Sequence, residues 1–205
     1  MPATPPSTAT TPPRRPPARW RRALAAGMLL VSTTPAVAGA RPREVSATDA
    51  SAACANTSVQ PTAHDATMMR NAIMCLINAV RAQHSVVALL PSRALNTSAM
   101  GHSHDMVVRD YFAHDTPSGQ TPSQRMRRDG APCISGCELG ENIAWATGSY
   151  STPAAIVAAW MASPGHRANI LDPAFRYEGV GVANGSPQML SHSPGGTTVT
   201  EDLCS

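Results

Sequence analysis

The feature that most restricts this chain is a succession near its N-terminus. Arg19, Arg21 and Arg22 precede the apolar run Ala23-Leu24-Ala25-Ala26-Gly27-Met28-Leu29-Leu30-Val31, and Ala36-Val37-Ala38 follows. A basic stretch, a short apolar stretch and an A-x-A site form a secretory signal peptide, with cleavage expected after Ala38. A retained membrane anchor is the alternative, but nine apolar residues fall well short of the roughly 20 that a helical span needs. Ahead of this succession, residues 1–17 are Pro/Thr/Ala-rich and cannot pack a core. Residues 39–65 are Ala/Ser/Thr/Pro-rich and read as a linker, so a single domain is expected over residues 66–205.

Charge follows the same division. The whole chain carries 16 Lys+Arg, all of them Arg, against 13 Asp+Glu, for a formal charge of +3. Seven of those Arg precede residue 44, where there is no acid; from Gly39 onward 11 Arg face 13 acids, a net −2. A nucleic-acid partner is therefore not expected, since only Arg125, Arg127 and Arg128 cluster and a solvated helix face accounts for them. No segment after the signal is long and apolar enough to span a membrane. Export also sets the reading of the five Cys, because an oxidising compartment favours disulfides over thiolate chemistry. Cys133 and Cys137, four apart, are expected to staple a loop, and Cys54 to tie the N-terminal extension to Cys75, leaving Cys204 over. A C-x3-C pair can also begin a zinc site, but no second pair follows.

Periodicity outlines the domain. Asp65 is a candidate N-cap, and Met69, Ile73, Leu76/Ile77 and Val80 recur at helical spacing, which predicts a helix over 66–84. Pro91 breaks the chain, and a second helix is expected over about 93–111, with Leu95, Ala99, His102 and Met106 on one face. A short basic helix over 122–129 follows. In the stretch Leu139–Ala146, Glu141, Ile143 and Trp145 alternate with Asn142, Ala144 and Ala146, which predicts a strand. Thr152 caps a helix that stops at Pro164-Gly165, Arg167–Leu171 forms a further helical piece, and strands are expected over Tyr177–Ala183 and Thr197–Leu203. The fold class is α+β, in layers around one core.

Four segments carry polar groups with chemical potential. They are His102-Ser103-His104-Asp105-Met106, Tyr111-Phe112-Ala113-His114 through Gly119, Gly140-Glu141-Asn142-Ile143-Ala144, and Trp160-Met161-Ala162-Ser163-Pro164-Gly165-His166-Arg167-Ala168-Asn169-Ile170-Leu171. Each alone has an ordinary explanation, as a hydrogen-bonded core His or a paired carboxylate. In this order, with Gly179-Val180-Gly181-Val182-Ala183 after them, they resemble the CAP superfamily, the group of cysteine-rich secretory proteins, venom allergens and plant pathogenesis-related proteins. The likeness is closest to its secreted bacterial branch and covers roughly residues 67–203.

The resemblance implies a three-layer α-β-α sandwich with a small antiparallel sheet, and a cleft that would gather His114, Glu141, His166, Ser163 and His102. In some members two His and two acids in this cleft hold a divalent metal. Carried over by motif, the metal set here is His114, Glu141 and His166, with Ser163 where the second acid would stand. Two imidazoles and a carboxylate suit a divalent ion such as zinc, with an open position for water. The function expected from the resemblance is a secreted or cell-envelope-associated module that binds an extracellular or envelope ligand. The alternatives are a metal-assisted hydrolase of peptide or cell-envelope polymer, and a lipid or sterol carrier. A cavity lined by Met69, Ile73, Leu76 and Val80 would serve lipid carriage, although core packing explains these residues more simply. A serine hydrolase pairing Ser163 with His166 lacks a G-x-S-x-G elbow.

Overall fold

The computed structural model describes residues 54–60, 65–132, 136–187 and 196–205. The leader, the signal succession, most of the linker and Cys133 lie outside the described residues. The first helix, α1, is Ala66–Gln83, and it turns Met69, Ile73, Leu76 and Ile77 inward at the spacing the sequence predicts. A two-residue strand, β1 (Leu90–Pro91), precedes α2 (Arg93–Val108). Ser92 caps α2 by accepting from the Leu95 amide at 3.3 Å. The helix stops short of residue 111 because Asp110 adopts φ 57° and leads the chain out of helical geometry. Helix α3 (Pro122–Arg128) opens on a capping box, in which Thr121 Oγ1 accepts from the Gln124 amide and Gln124 Oε1 accepts from the Thr121 amide. Strand β2 is Leu139–Thr147, α4 is Pro153–Ala162 capped by Thr152, and α5 is Pro164–Leu171. The chain closes with β3 (Tyr177–Asn184) and β4 (Gly196–Cys204).

The strands form one sheet in the order β1-β3-β4-β2. The three long strands pair antiparallel, but β1 runs parallel to β3, so the sheet is mixed rather than wholly antiparallel. Leu90 and Ser92 donate to the carbonyls of Arg176 and Glu178, both at 2.8 Å. Pro91 needs no donor there, which is why a residue expected only to break the chain can sit in an edge strand. β4 lies between β3 and β2 and is buried throughout.

Alternation along the strands divides the side chains between two faces. Ala144, Ala146, Val180, Val182, Val199 and Leu203 meet Met69, Ile73, Ile77, Ile156, Trp160 and Ile170 from α1, α4 and α5, and Phe175 from the segment after α5. The Met69/Ile73/Leu76/Val80 stripe is thus part of this core rather than a cavity wall. On the other face α2 lies directly on β3, because Gly179 and Gly181 have no side chains. A Cβ at Gly181 would fall 2.1 Å from the Ala99 carbonyl carbon. These two layers and the sheet between them make the α-β-α sandwich.

Buried Arg81 ties the first layer together. Its guanidinium donates to the carbonyls of Val87 (2.8 Å), Ile170 (2.7 Å), Asp172 (3.0 Å) and Phe175 (3.2 Å). Cys54 and Cys75 are joined in a disulfide, as their positions suggested. The other cysteine expectation is corrected. Cys137 carries a free thiol and Cys204 is disulfide-bonded, so Cys133 and Cys137 do not staple a loop and Cys204 is not spare. The β2–β4 register brings Cys204 opposite Leu139, two residues past Cys137, a proximity that spacing along the chain cannot reveal.

Candidate functional site

The polar residues on the α2 face of the sheet converge on Glu141. Strand β2 turns this side chain under α2 and α3, where the carboxylate is only 2% exposed. Oε1 accepts from His114 Nδ1 at 2.8 Å and Oε2 from Arg125 Nη2 at 2.5 Å. His102 Nε2, reaching down from α2, stands 3.9 Å from Oε1 and donates to the Ala113 carbonyl at 3.0 Å. Arg125 also donates from Nη1 to the carbonyls of His114 (2.9 Å) and Gln120 (3.1 Å), so it holds the loop between α2 and α3 as well as the carboxylate. Its side chain is 3% exposed. His114, 16% exposed, is the member of the group that reaches the surface.

The electrostatics are those of a buried charge with dedicated partners. Burial alone would raise the Glu141 carboxyl, but the His114 hydrogen bond and the charges around it, Arg125 among them, hold it below the usual carboxylate value. Burial pushes the His102 imidazole down to about 4, against the attraction of Glu141, so this ring is neutral at physiological pH. Tyr111 donates to Asp105 Oδ2 at 2.6 Å and lies 3.4 Å from His102 Nδ1. Burial and the Asp105 bond raise the Tyr111 phenol. Asp202 stands directly opposite Glu141 across the β2–β4 ladder, on the same face, and is fully buried. Burial, and then the Glu141 charge, push its carboxyl well above the ordinary range.

His114, Glu141 and His102 are therefore brought together, and two expected members are not. Ser163 joins α4 to α5, its amide donating to the Trp160 carbonyl and its carbonyl accepting from Arg167. His166 packs its ring against Trp160, centroids 6.5 Å apart, and its carbonyl accepts from Asn142 Nδ2 at 3.3 Å. Asn142 follows Glu141 on β2 and points to the opposite face, so α5 stands on the other side of the sheet. Among the described residues no three His, Cys, Asp or Glu side chains are grouped to hold a metal ion. The chemistry of Glu141 agrees: both oxygens are engaged, one by a guanidinium that would repel a cation. The set His114, Glu141 and His166 thus does not fit a divalent metal.

Arg125 and Asp202 were not legible as site residues. The sequence groups Arg125 with Arg127 and Arg128 on a solvated helix face, but Arg125 turns inward beside buried Met126. The signal for Asp202 was a pair of acids, Glu201-Asp202, inside an otherwise uncharged strand. A cavity of about 350 Å³ opens elsewhere, at the α4–α5 corner, lined by Met161, Ala162, Pro164, Arg167, Ala168 and Leu171.

Comparison with known proteins decides the family. The model of the CAP family, described as the cysteine-rich secretory protein family, matches residues 74–190. The chain belongs to the CAP family. Among curated relatives of this CAP protein, YkwD of Bacillus subtilis is 41% identical over 112 residues, 54% of this chain and 41% of YkwD. The B. subtilis membrane protein YlbC is 31% identical over 110 residues, 54% of this chain and 30% of YlbC. The chain thus spans less than half the length of either relative. Among solved structures, an extracellular protein from Bacillus anthracis that contains an SCP domain superposes with a TM-score of 0.57 at 28% identity, covering 71% of this chain and 44% of that one. An outer surface protein of Borrelia burgdorferi shares the fold at a TM-score of 0.56 and 14% identity, over 72% of this chain and 97% of its own. No described helix of the CAP chain is long and apolar enough to cross a membrane.

Proposed function

We propose that this CAP protein is an exported binding module whose His114 imidazole, aimed by Glu141, contacts an extracellular or cell-envelope ligand. The observation that carries this reading is the gradient of exposure along one hydrogen-bonded chain: Arg125 and Glu141 are enclosed at 3% and 2%, while His114 emerges at 16%. A fold gains little from burying such charges, because an apolar group of similar volume serves packing as well or better. Charges kept in this arrangement, ending in one accessible imidazole, are those of a recognition site.

The test uses purified bacterial cell-wall sacculi as the probe. Wild-type protein is expected to co-sediment with them, and His114→Ala to lose about tenfold in affinity, the size of one charge-assisted hydrogen bond. Equal retention of both proteins, or none of either, removes the reading. Stoichiometric zinc uptake that vanishes in His114→Ala would instead return the metal role to this histidine.

The same pair favours one second reading, hydrolysis of peptide or envelope polymer. An imidazole oriented by a buried carboxylate is the base-and-orienter unit of many hydrolases. Soluble fragments released from the sacculi by wild type and not by His114→Ala support it, and intact sacculi after prolonged incubation, with and without zinc, count against it.

A further inference from the structure

Resting on the reading that His114 is the ligand-facing group, we propose that Arg125 and Asp202 are positioning residues that hold Glu141 from two sides and so fix which nitrogen His114 presents. An ionised carboxylate only accepts hydrogen bonds, so His114 Nδ1, 2.8 Å from Glu141 Oε1, carries the proton. In the neutral ring Nε2 is then the acceptor nitrogen. This choice of tautomer lasts only as long as the carboxylate keeps its place.

Arg125 keeps it there in a way that no other cation would. One arm of its planar fork binds Glu141 Oε2 at 2.5 Å, and the other binds the backbone carbonyl of His114 itself at 2.9 Å. The guanidinium thus bridges the orienting carboxylate and the residue it orients. A lysine ammonium, a single point on a flexible stem, cannot span both with the same geometry.

Asp202 acts from the opposite side. Cross-strand partners on one face stand about 4.5–5.5 Å apart at Cβ, and Asp202 is the partner of Glu141. β4 lies between β3 and β2 and Asp202 is fully buried, so its carboxyl occupies space into which Glu141 would otherwise rotate. On its other side the partner is Gly179, which offers no side chain, and Ser98 of α2 borders it. Asp202 thereby supplies a second acid to the centre, from β4 instead of the helix end where Ser163 stands.

The test is the pair of ¹⁵N chemical shifts of the His114 ring in the labelled full chain, assigned by their loss in His114→Gln. The wild type, at a pH above the ring's own titration as followed by the same shifts, is expected to show a protonated Nδ1 and an unprotonated Nε2. Arg125→Met and Asp202→Ala should each lower the share of this tautomer about tenfold, the effect of weakening one charge-assisted hydrogen bond. Arg125→Lys should also shift it, whereas Asp202→Asn, which keeps shape and a polar tip, should restore the wild-type shifts. Circular dichroism and thermal midpoints establish that each variant is folded. A wild-type ring protonated on Nε2 overturns the proposal, as do unmoved shifts in folded Arg125→Met and Asp202→Ala. If those two do not fold, unmoved shifts in Arg125→Lys overturn the bridging role. Asp202→Asn shifting as far as Asp202→Ala overturns the role of Asp202. None of these readouts requires a ligand, so failure of the binding reading is seen separately, in the sacculus experiment.

Discussion

Glu201→Gln exchanges one oxygen for an amide nitrogen in the middle of β4 and leaves the packing almost unchanged. Glu201 faces α1 from the centre of the sheet, fully buried, with Oε2 accepting from Asn142 Nδ2 at 2.7 Å. Burial drives its pKa up to about 7 from 4.5, against the Asn142 bond and the Arg81 charge, which favour the ionised form. Between these two values the folded protein holds a proton that the unfolded chain has released. Stability from this group is therefore complete below about pH 4.5 and is lost as pH rises through 7. With about 1.4 kcal/mol per pH unit, the loss is about 3 kcal/mol.

The glutamine variant cannot ionise, and its amide oxygen can still accept from Asn142. Urea unfolding followed by tryptophan fluorescence, at pH 5, 6, 7 and 8, should give nearly equal stabilities at pH 5. By pH 8 the variant should be more stable by about 3 kcal/mol. Glu178, on the same face, is also raised well above its ordinary value by burial and by Glu201, so both proteins will weaken with rising pH. The difference between the two curves reports Glu201 together with the repulsion it exerts on Glu178. A variant equal to or weaker than wild type at pH 8 would refute the reasoning, because it would mean that the ionised carboxylate is well solvated or well paired where it lies.

Other perturbations test other parts of the structure. Arg81→Met should cost about 3–5 kcal/mol in urea unfolding, since it removes the side-chain donor of the Val87, Ile170 and Asp172 carbonyls and the cation beside Glu178 and Glu201. Gly181→Ala should cost about 3 kcal/mol or more, read as a lowered thermal midpoint, because its Cβ would collide with the α2 backbone and not with a movable side chain. Iodoacetamide under native conditions, followed by mass mapping, should modify Cys137 and leave Cys54, Cys75 and Cys204 unmodified. The paired substitution Cys54→Ser with Cys75→Ser should lower the unfolding free energy by about 3 kcal/mol, the chain-entropy value for a bridge of sequence separation 21.

What the sequence disclosed depended on whether a feature was local. The α1 stripe, the Thr152 cap and the alternation along β2 are written in consecutive residues, and the structure forms them within a residue or two of the expected bounds. His114 and Glu141 were visible for the same reason, each inside its own short motif. Arg125 was not, because one turn of helix holds three Arg and only the packing of Met126 against the core selects which one turns inward. Asp202 became a neighbour of Glu141 through strand register, a relation across 61 residues that no spacing rule encodes. His166 failed in the opposite way: motif order put it after Glu141 but carried no information about the side of the sheet. The cysteines repeat the lesson, since the chain end that reaches Leu139 is fixed by the same register.

The sheet sorts the buried charge of this protein into two systems with different roles. β2 and β4 each carry polar groups on both faces: Glu141 and Asp202 on the α2 side, Asn142 and Glu201 on the α1 side. Around the second pair lie Glu178, Asn78 and Arg81, all turned toward the core or its edge. Arg81, Asn142, Glu178 and Glu201 in that system are fully buried, and its energetic consequence is a stability that weakens as pH rises. The first system differs by one residue, His114, which carries the buried Arg125–Glu141 pair to the surface. Substitutions in the α1 system should therefore move stability alone, whereas those in the α2 system should move both stability and the state of an accessible imidazole. The same alternation that lets a strand be buried on both faces has let two adjacent positions, 141 and 142, serve one site and one scaffold.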